Sequence, residues 1–335
     1  MFQIDQDIRR AKTLPSEFYT DEVFFDASKE KIFARTWQFA GRVADLSILT
    51  PLSLLPGVLD EPLLISKTDG VLRCMSNVCT HRGKILIEEP CNANLIRCGY
   101  HGRRFSLDGM FLSMPEFEGV ENFPSDVDNL TSVAIGEAGS FAFASLDPVA
   151  GLSEFVSDDA MTPLGSGELK LSSKREYRVK AHWALYCENY LEGFHIPFVH
   201  KSLNEIVDYG TYSTELFRYS SMQIGYDADG NVAGRYLFVF PNMMFNFYPW
   251  GVSVNVVRPV SRAETVVDFL TYVSDESLVG EGAGADLHRV ELEDEAVVES
   301  VQLGIRSRYY SHGRYSATRE QGTHHFHRLI SEFLS

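Results

Sequence analysis

The sequence predicts an α+β chain in which a small all-β unit interrupts a larger unit of long strands and helices. Three observations carry this. At 335 residues the chain is too long for one small core and suits two folding units. From about Gly41 to Val149, short apolar or alternating runs (LSLLPGVL, PLLISKT, VLRCMSNV, NLIRCGY, SFAFASL) are separated by Gly, Pro, Asn and Asp, the pattern of a β-rich unit with tight turns. Beyond a linker-like stretch at 150–170, the runs lengthen and helical periodicity returns. The expected units are residues 38–150, and residues 1–37 together with 151–335.

The elements follow in order. Asp21 to Trp37 reads as a helix, with Val23, Phe24, Ile32, Phe33 and Trp37 at roughly helical spacing. REYRVKAHWAL reads as a strand holding a structural His182, running into a helix near Tyr186–Phe194. YLFVFPNMMFNFYPW, VSVNVVRPV and ETVVDFLTYVS read as long strands, and DADGN at 227–231 as a hairpin turn. The loop GEGAGAD at 280–286 precedes a helix of about 288–309. The tail HHFHRLISEFL reads as a short surface helix carrying His324, His325 and His327.

Composition excludes several classes. The net charge is 30 − 46 = −16, which opposes nucleic-acid binding through phosphate attraction. No apolar run reaches the roughly 18 residues of a membrane span. The first residues, MFQIDQDIRRAKTLP, lack the apolar segment of a secretory signal, so a cytoplasmic location is expected. The five cysteines (74, 79, 91, 98 and 187) are odd in number, which points to metal binding or burial rather than a disulfide framework.

Residues 79–83 read CTHRG and residues 98–102 read CGYHG. Cys79, His81, Cys98 and His101 thus form two mixed Cys/His pairs. A Rieske-type [2Fe–2S] cluster uses this donor set, two thiolates on one iron and two imidazoles on the other. The competing Cys₂His₂ zinc site usually pairs like ligands. Gly83 and Gly102 would permit tight turns beside the ligands.

A second constellation lies in CENYLEGFHIPFVH, residues 187–200. Two histidines and a carboxylate form the facial triad of non-haem iron oxygenases. On an ideal helix, His195 and His200 would point about 140° apart. Pro197 breaks that helix, so a turn there would let the two rings converge. On spacing alone the pair is weak evidence, and packed or surface histidines are the more ordinary reading.

Together the two motifs and their positions resemble the large (α) subunit of Rieske non-haem iron oxygenases, the aromatic-ring-hydroxylating dioxygenase family, over nearly the whole chain. The resemblance implies an all-β Rieske domain and a catalytic domain with a large antiparallel sheet covered by helices, a helix-grip fold. It implies a mononuclear Fe(II) on His195, His200 and a downstream carboxylate. ELEDEAVVESVQLG resembles the family's Glu-Asp-x₄-Glu-x₂-Gln stretch, which selects Asp294, with Glu293 and Glu295 as neighbours. Glu192, where many members have Asp, would bridge a cluster histidine of one subunit to an iron ligand of the next; Asn189 and Glu188 are polar neighbours. Arg103 stands where the family often has Trp.

By the same resemblance the chain is an oxygenase that uses O₂ and external electrons, works as a ring of three, and serves a small-molecule substrate. No G-x-G-x-x-G loop or second cysteine cluster is present, so electrons must come from a separate ferredoxin or NAD(P)H-dependent reductase. Arg82, Lys84, Arg97, Arg103 and Arg104 are expected to help dock it. FARTWQFAGR, Glu192 and NFYPWG look similar to the choline- and carnitine-monooxygenase branch. Asn246, Tyr248 and Trp250 are the candidate pocket residues, for a quaternary amine held by cation–π contact or for an arene. The other classes open at this point are an iron–sulfur electron carrier or sensor, and a zinc-stabilised binding protein.

Overall fold

The computed structural model describes residues 2–165, 167–200, 210–280, 284 and 287–335. It divides into two compact units, residues 34–152, and residues 1–33 with 153–335. Most of the expected Gly-rich loop at 280–286 lies outside the described residues. No helix among the described residues is long and apolar enough to cross a membrane.

The chain starts with helices α1 (Ser16–Thr20) and α2 (Glu22–Lys31), the latter capped by the Asp21 carboxylate accepting from the Val23 N–H. The expected helix to Trp37 stops at Lys31. A 3₁₀ turn at Phe33–Arg35 follows, then strand β1 (Gln38–Arg42). The apolar residues beyond Lys31 enter a core whatever their local conformation, so their spacing overextends the helix.

The smaller unit continues with β2 (Leu49–Leu54), β3 (Glu61–Thr68), β4 (Val71–Ser76), β5 (Ile96–Arg97), β6 (Arg104–Phe105), β7 (Phe111–Ser113), β8 (Ser132–Ala138) and β9 (Phe141–Ser145). An antiparallel sheet runs in the order β1-β9-β8-β4-β3-β2, and a small sheet in the order β5-β6-β7. Every residue of β9 (FAFAS) is buried, which explains its unbroken run of apolar and small residues.

A single helical turn, α3 (Leu152–Phe155), leads into the larger unit. Its elements are β10 (Lys170–Val179), α4 (Trp183–Tyr190), α5 (Ile196–Val199), β11 (Ser213–Leu216), β12 (Ser220–Tyr226), β13 (Val232–Val239), β14 (Met243–Tyr248), β15 (Gly251–Ser261), β16 (Glu264–Val273), α6 (Leu287–Gly304) and α7 (Gln321–Leu334). One antiparallel sheet collects the strands in the order β10-β16-β15-β14-β13-β12-β11. The run YLFVFPNMMFNFYPW is two strands of a hairpin, not one, turning at Phe240–Asn242; DADGN does close the β12–β13 hairpin.

Other expectations change as well: the helix expected over about 288–309 ends at Gly304, and the tail helix and His182 are placed differently. The tail helix is packed into the unit, with Phe326 edge-on to Trp183 at 5.8 Å and His327 fully buried. Its His324 and His327 share the face of Phe326 and Ile330. Tyr315 places its hydroxyl 2.6 Å from His327 Nδ1, and His324 Nε2 donates to the Asp5 carbonyl at 2.8 Å. Histidine in a helix reads as polar, so sequence pattern assigned this face to solvent.

His182 is the N-cap of α4 and not a strand residue: its Nδ1 accepts from the Ala184 N–H at 3.2 Å, and its own N–H donates to Gln302 Oε1 at 2.7 Å. Packed against the rings of Phe18, Tyr19 and Trp183, it is wholly buried, and burial pushes its pKa down from 6.5 to about 3. Between those values the unfolded chain binds a proton that the folded chain refuses. Stability therefore falls as pH drops through this window, by about 1.4 kcal/mol per pH unit. His182→Asn keeps a capping oxygen without the proton. Urea midpoints of the variant are expected to depend less on pH between 6.5 and 5 than those of the wild type; equal slopes would place the acid sensitivity elsewhere.

Candidate active site

In the smaller unit, the Cys79 and Cys98 loops repeat one backbone pattern. The Cys79 N–H donates to the Lys84 carbonyl at 2.8 Å and the Cys98 N–H to the Arg103 carbonyl at 2.8 Å, while Gly83 and Gly102 donate back to the Cys79 and Cys98 carbonyls. Both glycines sit at positive φ (70° and 75°), a conformation that costs other residues strain. The loops bring the His81 and His101 rings to 4.8 Å between centroids. Burial pushes the Cys79 thiol up. For Cys98, burial is outweighed by the N–H groups of Tyr100 and His101, which bring the thiol down; Tyr100 N lies 3.4 Å from its Sγ. Two buried sulfurs facing each other behind two outer imidazoles fit a cluster with a Cys side and a His side.

Arg103 is not available for docking. It is 2 % exposed, its Nη2 is 2.6 Å from Asp128 Oδ1, and its guanidinium lies 4.8 Å from the Phe111 ring centre and 5.5 Å from that of Phe123. Lys84 pairs with Glu88 at 2.7 Å. Arg82, Arg97 and Arg104 remain exposed.

In the larger unit, α4 ends four residues earlier than the expected Phe194, at Tyr190, and begins earlier because His182 caps it. A turn through Glu192 and Gly193 follows. Pro197 then opens the one-turn helix α5 instead of ending a longer one, a position where its missing N–H costs nothing. His195 and His200 flank that turn, with ring centroids 5.0 Å apart. Asp294 reaches them from α6: its Oδ1 is 3.0 Å from His200 Nε2 and 3.6 Å from His195 Nε2. The three ligand atoms lie within 4.8 Å of one another, a set that can hold a metal ion.

Each imidazole is held from behind. Glu192 Oε1 meets His195 Nδ1 at 2.8 Å, while its Oε2 accepts the His195 backbone N–H. Glu293 Oε2 meets His200 Nδ1 at 2.8 Å and is itself bound by Arg289. Nδ1 contacts of this kind leave Nε2 free for a metal and fix the ring. Glu293 therefore supports His200, and Glu295 lies outside the ligand set. Burial opposes charge on His200, but Asp294 and Glu293 outweigh it and hold the ring above its ordinary pKa. That surplus of negative charge fits a divalent cation.

These residues open onto a cavity with about 800 Å³ of empty space, part of it open to solvent. Its floor is one cross-strand row, Gln223 on β12, Tyr236 on β13, Asn246 on β14 and Ser253 on β15, paired in register and so facing the same way. Tyr186, Tyr190, Tyr212, Tyr248 and Phe269 add aromatic walls, and Asn189 and Glu192 line it as well. Burial raises the phenol pKa values of these tyrosines, Tyr236 to about 12, so the hydroxyls stay neutral.

Residues 36–124 match the Rieske [2Fe-2S] domain family, and residues 211–335 the catalytic domain of the ring-hydroxylating α subunit. The chain is 31 % identical to the chloroplastic choline monooxygenase of Arabidopsis thaliana, over 98 % of this chain and 84 % of that protein. The chain belongs to the Rieske non-haem iron oxygenases. The oxygenase is also 29 % identical to the carnitine monooxygenase oxygenase subunit of Escherichia coli K12, over 97 % of this chain and 94 % of that one. Its fold superposes on the quaternary ammonium Rieske monooxygenase CntA bound to L-carnitine with a TM-score of 0.80, at 25 % identity and full coverage of both chains. Its cofactors are accordingly a Rieske cluster and a mononuclear iron, and the electron-carrier, sensor and zinc readings fall away.

Of the expected pocket residues, the oxygenase brings Asn246 and Tyr248 to the cavity but not Trp250. Trp250 stacks on Tyr248 at 5.1 Å and 19°, bracing it from outside the cavity. The chain turns back at Gly251, where any Cβ would strike the Tyr272 carbonyl at 2.1 Å. Sequence reasoning missed Tyr186, Tyr190, Tyr212, Tyr236, Asn255 and Glu291. Only Glu291 left a usable signal, one helical turn before Asp294. Nor did it assign Glu299 and Gln302, which accept the Lys180 and His182 N–H groups and so pin α6 against the start of α4.

Proposed function

We propose that this oxygenase monohydroxylates a quaternary ammonium compound. The observation that carries the reading is the set of five tyrosines and Phe269 around the cavity beside His195, His200 and Asp294. Each ring face set against an ammonium contributes about 0.5–2 kcal/mol, more as water is excluded. The choline and carnitine monooxygenase relatives support it. A saturated C–H bond accepts one oxygen atom, so the second atom of O₂ leaves as water with two electrons and two protons.

His195, His200 and Asp294 would hold the mononuclear iron, and Cys79, His81, Cys98 and His101 the cluster. When bound, the cluster supplies electrons and the iron supplies O₂ activation at positions the triad leaves open. Glu192 and Glu293 fix the two imidazoles by their Nδ1 contacts. Asn189 offers a polar group at the cavity wall.

Electrons would arrive from a separate ferredoxin or NAD(P)H-dependent reductase, docking near Arg82, Arg97 and Arg104. In a homotrimer, each cluster would serve the neighbouring subunit's iron through Glu192, whose oxygens each keep a second lone pair for a partner's cluster histidine. CntA, of the same fold, is described with inter-subunit electron transfer. A cytoplasmic location accords with this.

The test supplies the purified oxygenase with a reductase and NADH. Choline-type ammonium ions are expected to give O₂ uptake matched by product, and naphthalene or indole uncoupled uptake at most. Matched uptake with the arenes alone would reassign the tyrosines to ring stacking.

A further inference from the structure

We propose that Glu291 is the anionic end of the substrate cavity and makes it select ammonium ions that carry no carboxylate. This rests on the quaternary-ammonium reading and narrows it. Glu291 lines the cavity yet is only 4 % exposed. Its Oε2 accepts the Tyr186 hydroxyl at 2.7 Å, and its Oε1 has no hydrogen-bond partner among the described residues. A buried carboxyl with one oxygen unmet is costly to keep. Burial accordingly pushes its pKa well above the ordinary carboxylate range, against the pull of Tyr186. A quaternary ammonium has no N–H for the unmet oxygen, but its positive charge in the cavity offsets the cost of ionising Glu291.

The charge inventory gives the selectivity. The described lining residues include three carboxylates, Glu192, Glu291 and Asp294, and no lysine or arginine. Without a cation Glu291 keeps its proton; once a bound cation lets it ionise, three negative charges stand against the two of a ferrous ion and leave one negative. A monocation brings the cavity to neutrality. A zwitterion brings a carboxylate as well, and no basic side chain among the described lining residues receives it. Tyr186 holds the Glu291 carboxyl in place, and Glu291 sits one turn before Asp294 on the cavity face of α6. An ammonium held against Glu291 therefore lies beside the three ligand residues, among neutral phenols.

The experiment is calorimetric titration of the iron-loaded holoenzyme without reductase, so that binding is read without turnover. The probes are choline, carnitine, and 3,3-dimethylbutanol, the uncharged carbon isostere of choline. The wild type is expected to bind choline at least about tenfold more tightly than either of the others, a difference of about 1.4 kcal/mol. Glu291→Gln, which keeps a hydrogen-bond acceptor for Tyr186, is expected to lose that preference, with the isostere's affinity changed less than about twofold. Glu291→Asp should keep part of it. Unchanged choline affinity in Glu291→Gln, or a wild type that binds carnitine as tightly as choline, overturns the proposal and leaves the ammonium reading standing. A wild type that binds neither ammonium ion overturns both. Should Glu291→Gln not fold or not retain iron, the wild-type ranking of the three probes decides.

Discussion

Asp294→Ala is expected to empty the mononuclear site while leaving the cluster spectrum intact. Asp294 supplies the single carboxylate in a set whose other members are imidazoles. Without it, two imidazole nitrogens face a divalent ion, and the carboxylates nearby are held elsewhere: Glu192 by His195, Glu293 by His200 and Arg289, and Glu291 by the Tyr186 hydroxyl on one of its oxygens. Iron content should fall by about a third, the two cluster irons remaining. Oxygenation should fall by more than the roughly 10–100-fold that loss of an outer partner of a metal ligand costs. The cluster should be indifferent, because its loops belong to a unit with its own core of Leu49, Leu64, Ile96 and Phe105. Iron analysis with the EPR spectrum of the reduced protein checks both halves. Retention of the third iron would move the ligand role to another residue of α6.

Arg103→Ala is expected to be the most damaging single change in the cluster unit, destabilising it by about 3 kcal/mol. Removing the guanidinium strips Asp128 of its charge partner and leaves a void between Phe105, Phe111 and Phe123. Asp128 is not left bare, since Ser125 donates to it from both backbone and side chain, so the cost belongs at the lower end of the range for broken buried pairs. Arg103→Lys should recover little, because a point charge on a flexible stem replaces neither the planar stack nor the fork. Arg103→Trp should refill the void and fall between the two. Denaturant titration followed by the cluster's visible absorbance ranks these variants. An Arg103→Ala midpoint equal to wild type would show that the stack contributes nothing.

The cluster loops were legible because everything they need is local. Ligands, glycines and turn residues fall within five positions of each other on each loop. The histidine pair was half legible. Spacing and Pro197 foretold a turn, but Pro197 opens a helix, and the cap at His182 that starts α4 was read as a strand residue. Arg103 was misread as a docking charge, since a guanidinium looks the same in sequence whether it meets water or three phenyl rings. The C-terminal histidines were misplaced for the same reason. Trp250 was expected in the cavity beside Tyr248, but the strand ends at Tyr248 and Trp250 falls in the turn before the next one.

The sequence alone determined the donor chemistry: two Cys/His pairs in one β-rich segment, two histidines around a proline in another, and an acidic helix far downstream. Those identities constrain which metals can bind, because sulfur, imidazole and carboxylate differ in softness and charge. Tertiary structure decided which acid of that helix meets the histidines, which one supports them, and that Glu291 is sealed into the cavity wall. His200 and Asp294 are 94 residues apart, so their meeting depends on the phase of α6 against α4. The tyrosine lining depends likewise on strand register. Phase and register are set by packing over the whole unit, and a one-residue shift in either would turn every one of these side chains away from the site.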